Sequence, residues 1–222
     1  MESDSAIGFT VKSGWAAAVR LVGQLASPTV TDSRRIDLSD PAIPESRQPY
    51  HSGFGTARKS SAELTHLVSS VRRFGQRSAS SLIQIYAADG PPPTGVGLVV
   101  GSLIDPDRIA NAHIRIHALE GRLFREILEQ AALKAAVPCS VWRERDLYAA
   151  AVEVLRQPEQ HIRSTVAALG RSLQGAWRAE QKAAAVAAWL VLATRKRPDH
   201  RPGVPVLEHR RRRSADRSAH DR

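Results

Sequence analysis

The eight residues HIRIHALE, 113–120, set two imidazoles and a carboxylate at spacings of four and then three. On an α-helix those spacings put His113, His117 and Glu120 on one face. Two imidazoles with a carboxylate make a ligand set for zinc or another divalent metal, so a divalent ion is the cofactor this stretch raises. The residue order differs from HExxH, which removes the metalloprotease reading. The alternative is a polar stripe beside Arg122 and Arg125.

Other residues could join that helix in a polar pocket. Lys12, Ser13 and Gly14 form a turn between two short strands, with Lys12 available as a point charge. Arg47, Tyr50 and His51 lie in the stretch DPAIPESRQPYHSGFG, whose three prolines and two glycines exclude a regular element. Long loops of this kind often carry function. Arg178, Glu180 and Lys182 open the last helix, and Glu144 follows a short strand. The carboxyl ends of α/β strands are where ligands commonly bind. Lys12, Ser13, Arg47, His51, His113, His117, Glu120, Glu144, Arg178 and Glu180 are therefore the candidate pocket residues. A pocket of this composition suits a phosphate or carboxylate better than a metal pair. The alternative for Arg178 and Glu180 is surface ion pairing and capping electrostatics.

The elements that position these residues follow from periodicity. Strands are expected at Ile7 to Val11, Ala17 to Val22 and Thr29 to Leu38. Ser60-Ser61 can cap a helix from Ala62, with a break expected at Gly75. The continuous apolar run Val96 to Leu103 suits a central strand covered on both faces. A long helix from Ile109 to Ala136, a strand from Val137 to Trp142, and helices at Leu147 to Leu155, His161 to Leu173 and Trp177 to Thr194 complete the pass. Cys139 and the tryptophans Trp15, Trp142, Trp177 and Trp189 are expected in the core. The order β-β-β-α-β-α-β-α gives an α/β mixed sheet with helices on its faces.

Composition narrows the class. The chain has 222 residues, 42% of them hydrophobic, which suits one domain, expected over residues 6–194. Residues 195–222 hold ten Lys and Arg against four Asp and Glu, with three prolines and almost no apolar pattern. This segment is expected to be a disordered basic tail, in which Arg210, Arg211, Arg212 and Arg213 could grip phosphates. A lone cysteine excludes an internal disulfide and a multi-cysteine zinc site. The longest apolar run, Ala183 to Ala193, has eleven residues, against the roughly 20 needed to span a bilayer. A bacterial cytoplasmic protein with no membrane partner is the expectation.

Three features carry a resemblance over residues 7–193: the opening hairpin IGFTVKSG, the strand VGLVVGSL before a long helix, and the closing helix EQKAAAVAAWLVLA. Together they resemble the ribonuclease H-like fold, with Holliday-junction-resolvase-like domains the nearer comparison and actin-like ATPase domains the more remote one. Such nucleases place an Asp on the first strand and further carboxylates near the fourth strand and the final helix, holding two metal ions. Here the first strand carries Phe9, Thr10 and Val11, and the nearest acids elsewhere are Asp105 and Glu180. The usual acidic set is missing, which argues against the standard two-metal nuclease. The resemblance implies a noncatalytic or catalytically altered protein that binds nucleic acid or a nucleic-acid-associated partner. A phosphate-handling hydrolase or transferase is one alternative. A structural interaction domain, binding a protein partner or forming a homodimer, is the other.

Overall fold

The computed structural model describes residues 4–52, 58 and 61–195. β1 (Asp4–Lys12) and β2 (Trp15–Gln24) form an antiparallel hairpin. Its turn needs Gly14 at φ +81°, in the left-handed region that glycine tolerates. β3 (Ser27–Asp37) pairs antiparallel with β2, with an irregularity between Arg20 and Leu21. β4 (Pro93–Val100) lies parallel to β1, and β5 (Cys139–Arg143) parallel to β4. The five strands run in the order β3-β2-β1-β4-β5. Parallel neighbours require crossovers, and α1 (Ala62–Ala88) and α2 (Ala112–Lys134) supply them. α3 (Leu147–Leu155), α4 (Glu159–Leu169) and α5 (Ala179–Arg195) follow β5.

Side-chain alternation sorts the two faces of the sheet. Ile7, Phe9 and Val11 of β1 join Val96, Leu98 and Val100 of β4 beneath α1 and α2, against Leu82, Ile83, Phe124 and Ile127. Ala6, Val19, Leu21 and Val99 face the other way, against α5 with α3 and α4 outside it. α5 is buried all round from Ala183 to Ala193, as its apolar composition requires. It sits very close to the sheet. A Cβ added at Gly8 would lie 1.8 Å from the Ala184 carbonyl oxygen, and one at Gly97 would lie 2.8 Å from that of Ala187.

The element order is the expected one, with local departures. α1 runs unbroken through Gly75, because that glycine admits a neighbour: an added Cβ would lie 2.7 Å from the Leu38 carbonyl oxygen. β4 starts at Pro93 and ends at Val100, where its partner β5 ends. Proline is tolerated at a strand's first residue. Cys139 opens the edge strand and is exposed, not part of the core. Trp189 is buried, whereas Trp15, Trp142 and Trp177 are half-buried. Arg20, given no role by the sequence, is buried on β2. It donates to Ser5 Oγ at 3.2 Å and to the Pro91 carbonyl at 3.0 Å, tying the hairpin to the α1–β4 connection. No described helix is long and apolar enough to cross a membrane.

Candidate functional site

The parallel strands β1, β4 and β5 end together at Lys12, Val100 and Arg143. A cleft of about 360 Å³ opens at that edge, lined by Lys12, Ser13, His117, Arg122, Arg125 and Glu144 among apolar residues that include Ile104 and Ile114. Lys12 Nζ lies 3.2 Å from Glu144 Oε2 across its floor. Glu144 is the one carboxylate among the described lining residues. Arg122 reaches Asp105 at 3.6 Å and Glu126 at 3.9 Å. Glu126 also accepts from Arg72 at 2.8 Å. Arg72 belongs to a second recess, a groove of about 440 Å³ lined by Arg72, Arg73, Arg77 and Lys134 between α1 and α2. Glu126 thus bridges groove and cleft.

Beside the cleft, a histidine cluster brings the proline-rich loop and α2 together. Asn111 caps α2, its side chain accepting from the Ile114 amide at 3.1 Å, and this start aims His113 and His117 outward and Glu120 inward. His51 arrives from the proline-rich loop, its amide donating to the Gln48 carbonyl at 3.0 Å. Its Nδ1 lies 2.8 Å from Glu120 Oε1. With that proton donated to the carboxylate, His51 presents Nε2 as a lone pair. His113 and His117 bring their Nε2 atoms to 3.3 Å, with the rings edge-to-face. The His51 ring centroid is 4.9 Å from that of His117.

Burial governs the electrostatics here. Glu120 is 0% exposed, and its Oε2 has no hydrogen-bond partner among the described residues. Desolvation pushes its carboxyl above the ordinary range, while the His51 hydrogen bond and charge and the Tyr50 backbone amide pull it back. His117 is pushed down, first by desolvation and then by the neighbouring His51 and His113. A histidine held neutral near pH 7 can act as a base, a hydrogen-bond donor or a metal ligand.

No protein-family model matches this chain, and no curated protein matches it. Solved structures do. RuvC of Thermus thermophilus superposes with a TM-score of 0.51 at 11% identity, over 86% of this chain and 96% of RuvC. The same protein in complex with Holliday junction substrate gives 0.51 at 10% identity, over 87% and 96%. The yeast mitochondrial Holliday junction resolvase Ydc2 gives 0.43 at 8%, over 87% of this chain and 82% of its own. The fold is ribonuclease H-like.

On this ribonuclease H-like sheet Thr10, Asp105 and Glu180, the positions weighed against the usual acidic set, are engaged in local structure. The Thr10 hydroxyl donates to the Glu180 backbone carbonyl at 2.8 Å, fastening α5 to β1. Asp105 caps a short turn, accepting from the Asp107 amide at 3.2 Å. Neither Asp105 nor Glu180 lines the cleft. Arg178 is exposed and also outside it; its backbone amide donates to Gln181 Oε1 at 3.0 Å. Arg47 lies against the hairpin turn, with its Cγ 2.7 Å from where a Gly14 Cβ would be, and is exposed.

Lys12, Ser13, His117 and Glu144 do meet in the cleft, and His51, His113 and Glu120 meet beside it. The trio of ligand-capable groups differs from the helical one expected. His51 takes the third place, and Glu120 stands behind it. Arg72, Arg73, Arg77 and Lys134 received no role from sequence; the helical spacing of Arg73 and Arg77 was the available signal. Arg210 to Arg213 lie outside the described residues.

Proposed function

We propose that this protein binds nucleic acid as a catalytically altered ribonuclease H-like protein, tracking the phosphate backbone along the α1–α2 groove towards the carboxyl-edge cleft. The observation that carries this reading is the groove itself. Arg73, Arg77 and Lys134 form no ion pair among the described residues, and Arg72 connects through Glu126 to Arg122 at the cleft. Unneutralised cations converging on one groove are the electrostatic footprint of phosphate binding. The Thermus thermophilus RuvC complex with Holliday junction substrate supports nucleic acid as the ligand class. The missing carboxylate pair in the cleft favours binding, or altered chemistry, over two-metal cleavage.

Fluorescence anisotropy on duplex, branched and single-stranded DNA across a salt series tests the reading. The full chain should prefer one shape. The Arg73→Gln/Arg77→Gln/Lys134→Gln variant should bind at least about tenfold more weakly at moderate salt. An Arg210–213→Gln variant separates this from a charge effect of the tail. Undiminished binding by the groove variant, with binding abolished by the tail variant, defeats the proposal.

A second reading, a phosphate-handling hydrolase, is favoured by the His51–Glu120 pair next to the cleft that His117 lines. A buried carboxylate that orients an imidazole is an arrangement used in general-base chemistry. Appearance of cleaved or hydrolysed phosphodiester in the same DNA samples decides for it.

A further inference from the structure

Binding along the groove leaves the histidine cluster without a use. One ring nitrogen from each of His51, His113 and His117 lies within 4.8 Å of the other two, and the His113 and His117 Nε2 atoms are 3.3 Å apart. Nitrogens bonded at about 2.0–2.1 Å to one tetrahedral ion stand about 3.3 Å apart. A hydrogen bond between two neutral imidazoles would account for that pair alone. It would not account for a third imidazole with a ring nitrogen within 4.8 Å of both, nor for the carboxylate behind it.

We propose that His51, His113 and His117 bind one zinc-class divalent transition-metal ion through three imidazole nitrogens, with Glu120 orienting His51 from behind. The donor set selects the ion. Imidazole nitrogens suit zinc, copper, nickel and iron, whereas magnesium and calcium take oxygen ligands. Metal-binding histidines commonly donate their other ring N–H to a carboxylate, which fixes the tautomer and raises the ligand's basicity. Glu120 Oε1, 2.8 Å from His51 Nδ1, occupies that place. The ion also answers a cost within the fold. A fully buried carboxylate with one oxygen unpartnered among the described residues needs positive charge nearby, and a metal-loaded imidazole supplies it. Three protein ligands leave a fourth position for water or substrate. His117 lines the carboxyl-edge cleft, so the cluster adjoins the cleft. This inference stands whether or not the groove binds nucleic acid.

The test uses the full chain, stripped with a chelator and titrated with Zn²⁺ by calorimetry and with Co²⁺ by visible absorption. One equivalent should bind, and Co²⁺ should show the intense d–d bands of a four-coordinate site. His113→Gln/His117→Gln changes two exposed side chains and should abolish both signals while leaving the circular dichroism intact. Glu120→Gln should keep the stoichiometry and weaken Zn²⁺ binding by about 10- to 100-fold. His66→Gln, which alters a histidine outside the cluster, should change nothing. Failure of the parent chain to take up one equivalent, or undiminished binding in the double variant, overturns the site. Unchanged affinity in Glu120→Gln overturns the role of the carboxylate.

Discussion

The Thr10 hydroxyl donates to the Glu180 carbonyl at 2.8 Å, in a position 1% exposed on the face of β1 that receives α5. A carboxylate there would meet a carbonyl oxygen with no water to solvate it. Thr10→Asp is therefore expected to lower stability by about 3 kcal/mol at neutral pH, read from urea midpoints; a variant as stable as the parent contradicts this account. His117 makes a second prediction. Its folded-state pKa lies below the ordinary 6.5, so above that value both states are neutral and the group contributes no pH dependence. As pH falls below it the unfolded chain takes the proton first, and stability declines until the folded value is passed. Melting temperature should drop between pH 7 and pH 5, and His117→Gln should flatten part of that slope. Glu120 works in the opposite sense. Its raised carboxyl favours the fold at low pH and loses that contribution as pH rises through the folded value. Identical slopes in His117→Gln and the parent would refute the assignment to His117.

Among the elements, α5 and the sheet show how glycine can set a distance between layers. Gly8→Ala would drive a methyl into the Ala184 and Ala188 backbone, and α5 would have to lift. We expect a loss of about 3 kcal/mol or more. Gly101→Ala, with nothing within 4 Å of the added Cβ, should change stability by less than about 0.5 kcal/mol. Calorimetric melts of both variants check the pair, and equal effects would mean that close packing is not the reason for Gly8. The same comparison explains what was legible beforehand. Strand alternation and helical spacing identified the layers, because period 2 and period 3.6 survive in sequence. Gly75 reads locally as a break, since a glycine chosen for closeness looks like one chosen for a turn. The α2 face carrying His113, His117 and Glu120 could be read for the same periodic reason. His51 could be named only as a loop residue. Its approach to Glu120 is set by tertiary packing across 69 positions of chain, which no local pattern records.

At the scale of the whole molecule the net charge of +10 divides into +6 over residues 195–222 (ten Lys and Arg less four Asp and Glu) and +4 over residues 1–194 (22 less 18), and the two parts should differ in the nucleic-acid shapes they select. Binding by the terminal arginine run and binding by the groove both weaken as counterions compete. Only the fixed groove can favour one nucleic-acid shape, because Arg72, Arg73, Arg77 and Lys134 hold their spacing on two packed helices. Neutralising Arg73, Arg77 and Lys134 should make the slope of log K against log salt shallower by up to about 3 if each meets a phosphate. The groove could not be seen in the sequence for a plain reason. Lys134 stands far along the chain from the arginines of α1, and only the packing of α1 on α2 brings them to one recess.

The Gly14 carbonyl oxygen accepts from the Leu38 amide at 2.8 Å, the Ser39 amide at 3.1 Å and the Ser39 hydroxyl at 3.1 Å. The chain that will deliver His51 is therefore latched to the β1–β2 corner as soon as it leaves β3. Those two amides, although at the root of a loop, are therefore expected to exchange with deuterium as slowly as the sheet, and fast exchange would contradict the latch. The loop hangs from a fixed hinge. The segment that leads to His51 thus starts from the same corner that carries Lys12.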